Sequence, residues 1–428
     1  MINTPKLVER RYLLPFILIT SLFALWGFAN DITNPMVAGF QTIMELSAAK
    51  ASLIQFAFYG GYATMAVPAA LFIRRFSYKK GILLGLLLYA VGAFLFIPAA
   101  ARESFTFFCL SLYILTFGLA FLETTANPFI LSLGAKENST RRLNLAQSFN
   151  PVGSLTGMAV ASWIVLPQLL SDQHRDTAGV NHFAELSESV KAAERVHDLG
   201  IIRDAYVALG IAVVIVFIII AITRMPETAG SGVRSKGTLG RLWRNVNYRE
   251  GVLAQMFYVG AQIMTWTFII QYADNLGIDK ATAQKYNIIA MGSFLCFRFV
   301  STYLMKFVNS RKLLAVFGCG AALCTLGAIV FVGPLGLGCL VAVSAFMSLM
   351  FPTIYGISLE NVSAEDSTLG ASFLVMAIVG GSILPPLQGS IIDLGTVFSH
   401  PAVNVSFCLP LICFLVIIAY GIRSAKRM

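Results

Sequence analysis

The sequence predicts an all-α membrane protein with twelve transmembrane helices, and its composition is the first reason. Residues of the set AVILMFWYC make up 57% of the 428-residue chain and charged residues only 12%, whereas a soluble globular protein has roughly a quarter charged residues. Twelve apolar runs are long enough to cross a bilayer core, which is about 30 Å thick and needs about 20 helical residues. The runs do not alternate over about ten residues as the strands of a β-barrel would. The apolar excess therefore faces lipid.

The apolar runs fall into two sets of six, separated by a polar and basic segment. We predict a six-helix bundle over residues 1–224, a linker over residues 225–250 and a second six-helix bundle over residues 251–428. The runs, numbered as predicted spans 1 to 12, are residues 13–40, 50–73, 81–100, 105–132, 143–170, 204–223, 251–273, 286–305, 313–332, 335–358, 369–392 and 402–422.

Lys and Arg residues are distributed unequally between the two sides of the predicted bundles. Of the 31 such residues, 22 lie in segments on the side of the N-terminus, eight lie in the opposite segments and one lies within a span. The positive-inside rule therefore predicts cytoplasmic N- and C-termini. The net charge of +10 lies in short loops, which argues against nucleic-acid binding. The seven cysteines all lie in apolar runs, which excludes a disulfide scaffold.

The longest predicted outer loop, residues 171–203, contains three of the four histidines. A surface helix is predicted within it, from Phe183 to Leu199. The three histidines are His174, His182 and His197. A metal-binding or pH-sensing role is one interpretation, but a solvated amphipathic helix is favoured and no metal site is predicted.

The two halves of the chain resemble each other weakly. The loop LFIRRFSYKKG after span 2 corresponds to YLMKFVNSRK after span 8, and Pro128 and Pro352 occupy similar places between a fourth and a fifth helix. Two parallel six-helix repeats joined by a basic linker are typical of the major facilitator superfamily. The first loop resembles that superfamily's loop signature, with Ala70 replacing its glycine and Arg74 its acid; Arg74 and Arg75 are predicted gating or structural residues. The sequence has no phosphate-binding G-x-x-x-x-G-K-[ST] loop, so transport is expected to be gradient-driven or passive.

Three charged residues lie inside predicted spans and away from the span ends, where each costs at least about 2.5–3.5 kcal/mol to insert. Glu123 lies in span 4 and Asp31 in the outer half of span 1. A carboxyl group in a low-dielectric cavity has its ionised form destabilised, so it can bind and release a proton. We predict proton coupling at Glu123 and Asp31; the alternatives are a structural role for Glu123 and helix capping by Asp31, since Pro35 follows closely. Arg298 in span 8 is predicted to be a structural or gating residue.

Amide and aromatic side chains recur along helix faces and predict a polar cavity. In spans 5 and 7 they are spaced by three and four residues, which places them on one face of each helix. Hydroxyl-rich ligands such as sugars need planar donors and acceptors with an aromatic plate, whereas an anion would need in-span Lys or Arg. Hydrogen bonding between helices is the alternative for any single amide. The predicted sugar contacts are Asn30, Asn34, Asn127, Gln147, Asn150, Gln255, Tyr258, Gln262 and Trp266.

Several of these segments resemble one known family, the fucose:proton symporters. The segments are LFALWGFANDITNPMV, GLAFLETTANPF, RLNLAQSFNPVGS, QMFYVGAQIMTWTFIIQY and SAFMSLMFPTI. The resemblance covers nearly the whole chain and implies the major facilitator fold and uptake of a monosaccharide with a proton. It also implies that Glu123 is the family's acid of helix 4 and that Gln147 and Asn150 line the cavity.

The chain departs from the pattern of the bacterial L-fucose permeases in two places. That pattern has an amide where this chain has Asp31, and it ends in Asn-Asp where this chain has Thr33 and Asn34. One acid and one amide are therefore kept on the same helix face with their places exchanged. Phe351 stands where a tyrosine would match the permeases, which changes one contact to a sugar hydroxyl.

We therefore expect a proton-coupled monosaccharide symporter of the bacterial inner membrane that works by alternating access, with L-fucose as the substrate implied by the resemblance. The alternative is a glucose, galactose or other hexose transporter of the same family, driven by H⁺ or Na⁺. An enzyme would need clustered His, Asp or Cys at a membrane face, and a sensor would need a signalling domain. The expected partners are the sugar, H⁺ and the lipid bilayer, without cofactor, metal or nucleic acid, and the chain is expected to be monomeric.

Overall fold

The structure of the protein is a computed structural model that describes residues 7–46, 53–174, 181–226, 237–278, 280–397 and 400–427. These residues are almost entirely α-helical. The helices of the first half are α1 (Leu13–Ile43), α2 (Leu53–Arg75), α3 (Tyr78–Phe94), α4 (Phe96–Ala101), α5 (Phe105–Ser132), α6 (Ser139–Gln147), α7 (Phe149–Val160) and α8 (Glu188–Ile222).

The second half continues in the same way, with shorter helices that follow one another closely. Its helices are α9 (Thr238–Arg244), α10 (Val246–Asp274), α11 (Lys280–Leu304), α12 (Ser310–Val330), α13 (Pro334–Met347), α14 (Met350–Glu360), α15 (Ala364–Met376), α16 (Gly380–Ile392), α17 (Ala402–Ser406) and α18 (Cys408–Lys426). Two short strands, β1 (Thr396–Val397) and β2 (His400–Pro401), pair antiparallel, with Val397 opposite His400.

Twelve helical stretches of the described chain are long and apolar enough to cross a membrane, as the sequence predicts. We number them spans 1 to 12: Arg10–Thr33, Phe56–Arg75, Tyr78–Ala101, Phe105–Ser132, Lys136–Gln168, Glu188–Ile222, Val246–Ala273, Ala283–Leu304, Ser310–Val330, Pro334–Leu359, Ala364–Ile392 and Ala402–Lys426. Most predicted boundaries differ from these by only a few residues, because helices continue past the apolar core into the polar boundary.

Polar residues at helix starts explain several of these boundaries. The Ser77 side chain accepts a hydrogen bond from the Lys80 amide at the start of α3, and Ser363 does the same for Asp366 at the start of α15. Such caps satisfy backbone amides that have no partner within the helix. Residues at the ends of these short connections therefore cap the helices that follow them.

The weak sequence repeat has a counterpart in the packing. Span 3 packs against span 6 in the first half, and span 9 packs against span 12 in the second. A Cβ atom at Gly153 of span 5 would overlap the Ala24 carbonyl of span 1, and one at Gly380 of span 11 would overlap the Met256 carbonyl of span 7. Glycine is needed at both places because two helix backbones approach closely.

The predicted linker is not wholly irregular. Residues 238–244 form α9, and its Arg241 makes a two-pronged ion pair with Asp366 of α15, with nitrogen–oxygen distances of 2.6 and 2.7 Å. This pair raises the pKa of the Arg241 guanidinium. The end of the linker is thereby fastened to the second half of the chain.

The predicted surface helix in the outer loop is wrong in its boundaries. Phe183–Glu185 forms a single 3-10 turn, and α8 then runs without a break from Glu188 to Ile222, as span 6. Asp198, which is fully buried, accepts hydrogen bonds from the backbone amides of Leu170 and Ser171. The amphipathic segment is therefore the first part of the long helix of span 6.

The chain divides into two compact units. Unit 1 comprises Met1–Phe16, Asn127–Ser148 and Glu227–Met428, and unit 2 comprises Ile17–Ala126 and Phe149–Pro226. Unit 1 therefore contains the end of span 4 and the start of span 5 together with the second half. The division into bundles at residues 1–224 and 251–428 stays a prediction.

Candidate functional site

An amide pair in unit 1 joins span 4 to span 5. The Gln147 side-chain amide donates a hydrogen bond to Oδ1 of Asn127 at 2.8 Å, and both side chains are buried. Gln147 is the last residue of α6, and its backbone carbonyl is also engaged, as described next. Two predicted sugar contacts thus lie together, but they already satisfy part of each other's hydrogen-bonding capacity.

Arg298 of span 8 is held by backbone carbonyls. Its Nε donates to the Ser348 carbonyl at 2.6 Å, and its Nη1 donates to the Gln147 carbonyl at 3.1 Å. The guanidinium carbon lies 4.9 Å from the centre of the Phe294 ring, a favourable cation–π distance. No carboxylate of the described residues lies within ion-pair distance of it. These contacts agree with a structural or gating role, which stays a prediction.

The polar face of span 7 divides into a buried and a more open part. Gln255 and Tyr258 have no exposed surface, and the Tyr258 hydroxyl donates to the Met347 carbonyl at 3.2 Å. Neither amide atom of Gln255 has a hydrogen-bond partner among the described residues. One and two turns further on, Gln262 and Trp266 are partly exposed. Gln262 and Trp266 therefore form the more open part of this face.

Trp266 connects this face to Arg298. Its Nε1 donates to the Ser344 hydroxyl at 3.1 Å, and its ring packs edge-on against Phe294 at 5.1 Å between centroids. Phe294 in turn carries Arg298 on its face. These contacts form a continuous set, which we call the amide–aromatic cluster. Its members, in order of contact, are Asn127, Gln147, Arg298, Phe294 and Trp266.

Phe351, the position that departs from the permease pattern, lies beside the buried part of the span 7 face. Its ring packs against that of Tyr258 at 6.2 Å between centroids. A phenyl ring adds apolar contact here and no donor or acceptor. The difference from a tyrosine is therefore one of hydrogen bonding rather than of packing.

Glu123 belongs to unit 2, where it is almost completely buried in span 4 with 6% of its surface exposed. Tyr62 of span 2 lies close enough for its hydroxyl to interact electrostatically with the Glu123 carboxyl. Because Tyr62 is itself buried, the carboxyl lies in a low-dielectric environment. A group in such a place favours the neutral, protonated form.

Asp31 lies half-buried in span 1, and Tyr59 lies within electrostatic range of it. The alternative that Asp31 caps a broken helix is wrong, because α1 is continuous from Leu13 to Ile43. Proline inside a membrane helix is tolerated where neighbours satisfy the freed backbone groups. Asn30 is also half-buried, and its Oδ1 has no partner among the described residues. The side chain of Asn34 lies outside the described part of the structure.

Asn150 holds two helices together in unit 2. Its side-chain amide donates to the Phe23 carbonyl at 3.2 Å, and its backbone carbonyl lies where a Cβ atom of Gly27 would be. The structure therefore places Asn150 at the contact of spans 1 and 5, as in the helix–helix alternative, although a role in sugar binding is not tested.

The basic loop after span 2 contains one residue whose role the sequence did not reveal. Arg74 is buried, and Arg75 is exposed with its guanidinium 5.5 Å from the Phe76 ring centre. Lys79 donates to the carbonyls of Ala221 and Thr223 at the end of span 6, at 2.7 and 2.8 Å. A lysine at a helix C-terminus satisfies its last carbonyls.

Sequence reasoning also missed the two tyrosines that face the in-span acids. Tyr59 and Tyr62 are three residues apart in the segment FAFYGGYAT and so share one face of span 2. Two hydroxyl-bearing rings at helical spacing in an otherwise apolar span were the available signal. The buried bond from Asn144 to Thr353, at 3.1 Å, had no such signal because its partners are far apart in sequence.

The histidines of the outer loop are each paired with an acid. His174 contacts Glu194 at 2.9 Å, and the two others contact neighbouring carboxylates at similar distances. Among the described residues, no group of three or more His, Cys, Asp or Glu side chains is arranged to hold a metal ion.

Comparison with known proteins places these features in a family. Residues 17–386 match the model of the family described as "Major Facilitator Superfamily". An L-fucose-proton symporter of Haemophilus influenzae is 61% identical over 98% of this chain and 99% of its own length. A glucose/galactose transporter of Brucella abortus is 27% identical over 99% of this chain and 97% of its own length.

The fold has a counterpart among solved structures. A crystal structure of FucP, a major facilitator transporter in the outward conformation, superimposes with a TM-score of 0.88 at 33% identity, covering 97% of this chain and 99% of that one. The twelve spans, the repeat in their packing and the near full-length similarity all indicate the same family. The chain therefore belongs to the Major Facilitator Superfamily and, within it, to the family that contains the bacterial L-fucose-proton symporters.

Proposed function

We propose that the chain is a proton-coupled L-fucose symporter. The observation that carries the proposal is the 61% identity over 98% of the chain to a relative named an L-fucose-proton symporter. The geometry supports it with a buried carboxyl in span 4 and with the amide–aromatic cluster of unit 1. Both are what a sugar:proton symporter needs: a group that can change its charge, and planar donors and acceptors beside an aromatic ring.

In this proposal Glu123 carries the proton, with Asp31 as a second coupling group. A carboxyl that stays buried while the two halves of a transporter rearrange costs less free energy when it is protonated, because the neutral form avoids the cost of a buried charge. Proton binding therefore permits the conformational change, and proton release resets it. The sugar is held by the amides of Asn127 and Gln147 and by Trp266, and Asn30, Asn34, Asn150 and Gln262 are further candidate contacts. Gln255 and Tyr258 would become available only if span 7 moves.

The contacts within unit 1 support the proposal of a gate. Three hydrogen bonds join the two halves of the sequence on the side where spans 4 and 8 end. They run from Arg298 to the Gln147 carbonyl, from Asn144 to Thr353 and from Arg141 to the Thr302 carbonyl. Alternating access requires that such contacts form and break in turn. We assign Arg298 to this gate and expect Arg74 and Arg75 to serve the corresponding loop of the first half.

We place both termini in the cytoplasm and the protein in the bacterial inner membrane, where it would act as a monomer driven by the proton gradient without a cofactor. The basis for the orientation is the excess of Lys and Arg on the side of the termini. A cysteine introduced at Ser235 should resist impermeant thiol reagents in intact cells, and one at Ser187 should react. The reverse pattern would overturn the orientation.

Uptake measurements test the substrate and the coupling ion. In a strain without its own sugar permeases, radiolabelled L-fucose should accumulate, and a protonophore should abolish accumulation while replacement of Na⁺ by K⁺ should not change it. The alternative is a glucose/galactose transporter, because relatives with that name cover almost the whole chain at 27% identity. Accumulation of glucose or galactose but not of L-fucose would favour it, and loss of uptake without Na⁺ would favour sodium coupling.

A further inference from the structure

A cavity separate from the amide–aromatic cluster lies in unit 1, on the side where spans 4 and 8 end. Its volume is about 270 Å³, and its walls are the start of span 5, the connection between spans 8 and 9 with the start of span 9, and Glu360 after span 10. Sites for drug-sized ligands have volumes of about 300–1,000 Å³. This cavity lies just below that range, so it suits a smaller ligand. Its lining includes Lys136, Arg141, Arg311, Glu137 and Glu360.

The charges in this cavity are not balanced. Arg311 and Glu360 form an ion pair at 2.7 Å, and they neutralise each other. Arg141 uses its Nε for the Thr302 carbonyl at 3.2 Å, and its two terminal nitrogens have no hydrogen-bond partner among the described residues. Lys136 is exposed and has no ion-pair partner in the same part of the chain. The exposed Glu137 offsets only one of these two positive charges.

The backbone reinforces the positive character of the cavity. Helices α6 and α12 begin at its wall, with Ser139 and Ser310 in the lining. The start of a helix carries a partial positive charge and favours anions. No side chain caps the start of α6. The start of α12 is capped, because the Asn309 side chain accepts a hydrogen bond from the Arg311 amide. The cavity thus combines a planar guanidinium fork, an ammonium group and the uncapped start of α6.

We propose that this cavity binds a phosphate group, either of a small phosphorylated compound or of a lipid headgroup. A phosphate monoester carries between one and two negative charges near neutral pH and three acceptor oxygens. The phosphodiester of a lipid headgroup carries one negative charge and two such oxygens. The guanidinium fork of Arg141 matches two of those oxygens, and Lys136 supplies a point charge. A carboxylate would leave part of this donor set without a partner.

Such a ligand would stabilise the arrangement seen here. It touches both the start of span 5 and the connection after span 8, so it binds only while these two are together. Ligand binding to one state stabilises that state by mass action. If the protein is a transporter as proposed above, phosphate on this side would slow the opening of the gate and therefore the transport cycle.

Thermal unfolding of the purified full-length protein tests binding without any reference to sugar. At constant ionic strength, inorganic phosphate should raise the unfolding temperature in a saturable way, and chloride should not. Lys136→Ala should weaken the apparent phosphate affinity about tenfold, which corresponds to one charge-assisted hydrogen bond. The control Lys312→Ala removes an exposed charge next to Arg311 that does not line the cavity, and it should leave the affinity unchanged.

A second measurement identifies the source of the phosphate. Sugar exchange is measured in vesicles of zwitterionic phosphatidylcholine and in vesicles of anionic phosphatidylglycerol. In the first, internal inorganic phosphate should slow exchange. In the second, slow exchange without free phosphate that is relieved by Lys136→Ala would identify a lipid headgroup as the ligand. The proposal is overturned if phosphate fails to stabilise the wild-type protein, or if Lys136→Ala and Lys312→Ala respond alike. Failure of L-fucose transport alone would leave the thermal result intact and count only against the proposed function.

Discussion

Glu123 and Arg298 are both buried in membrane-spanning helices, with 6% and 3% of their surfaces exposed, but the two charges have different means of being tolerated. Arg298 donates to the carbonyls of Ser348 and Gln147 and lies on the Phe294 ring. A guanidinium cannot lose its proton in a protein, so fixed dipoles must surround it. A carboxyl can instead bind a proton and become neutral.

The difference separates two tasks that a symporter must perform. A permanent charge satisfied by backbone carbonyls from two other spans is suited to hold an arrangement together. A charge that can be removed by protonation is suited to respond to the proton gradient. We therefore expect substitutions at Glu123 to affect coupling and substitutions at Arg298 to affect stability, and the following experiments can break or sharpen this distinction.

The largest effect is expected from Glu123→Gln. Glutamine keeps the shape and a hydrogen-bonding group but cannot titrate, so it mimics the permanently protonated state. Such a carrier can still exchange sugar for sugar across the membrane, but it cannot return empty after releasing a proton. Accumulation of radiolabelled L-fucose against its gradient and sugar-induced alkalinisation of the medium should therefore both vanish, while exchange persists.

Glu103→Gln is the matched control for this experiment, because Glu103 is exposed outside the spans. It should accumulate sugar normally. Full proton-driven accumulation by Glu123→Gln would remove Glu123 from the mechanism and leave Asp31 as the other predicted coupling acid.

The next largest effect is expected on sugar affinity from Trp266→Ala. Burying an aromatic side chain against a ligand contributes about 1.5–3 kcal/mol, so the dissociation constant should rise about 10- to 100-fold. Trp266→Phe should restore most of the affinity because it keeps an aromatic plate. Binding of labelled L-fucose to the purified protein measures this, and Trp163→Ala, which removes a tryptophan that is 80% exposed, should have no effect.

Arg298→Lys should separate stability from coupling. Lysine keeps the charge but replaces the planar fork with a single ammonium group, so it loses at least one charge-assisted bond, worth about 1.5–3 kcal/mol. The unfolding temperature should fall, while the surviving protein should still accumulate sugar with protons. Arg102→Lys, at an exposed position, is the control. Loss of accumulation without loss of stability would mean that Arg298 takes part in coupling.

The sequence predicts the twelve spans well because a fixed bilayer thickness requires apolar runs of a defined length. It also identifies Glu123 and Arg298, since charges are rare inside membrane helices. It does not reveal that Arg298 is satisfied by Ser348 and Gln147, because backbone carbonyls leave no mark in the sequence. Long-range partners of this kind become visible only in the fold.

Two expectations failed for local reasons. Pro35 suggested a broken helix that Asp31 could cap, whereas α1 continues through it, as proline permits when neighbouring groups take over its missing hydrogen bond. The amphipathic stretch before the predicted span 6 suggested a separate surface helix. A change from amphipathic to apolar character does not end a helix, and the sequence between Glu188 and Ile222 contains no proline to end it.

The smallest effect is expected from Asp31→Asn, and it tests whether burial is the property that matters. Asp31 is half-buried, so burial disfavours its charge less than it disfavours the charge of Glu123. Partly exposed charges interact with their surroundings by about 1 kcal/mol or less, so the steady-state accumulation ratio should fall by no more than about fivefold. Asp393→Asn, at an exposed position, should leave the ratio unchanged. If Asp31→Asn instead abolishes accumulation as completely as Glu123→Gln, then the position of an acid along the transport path, and not the depth of its burial, decides which group carries the proton.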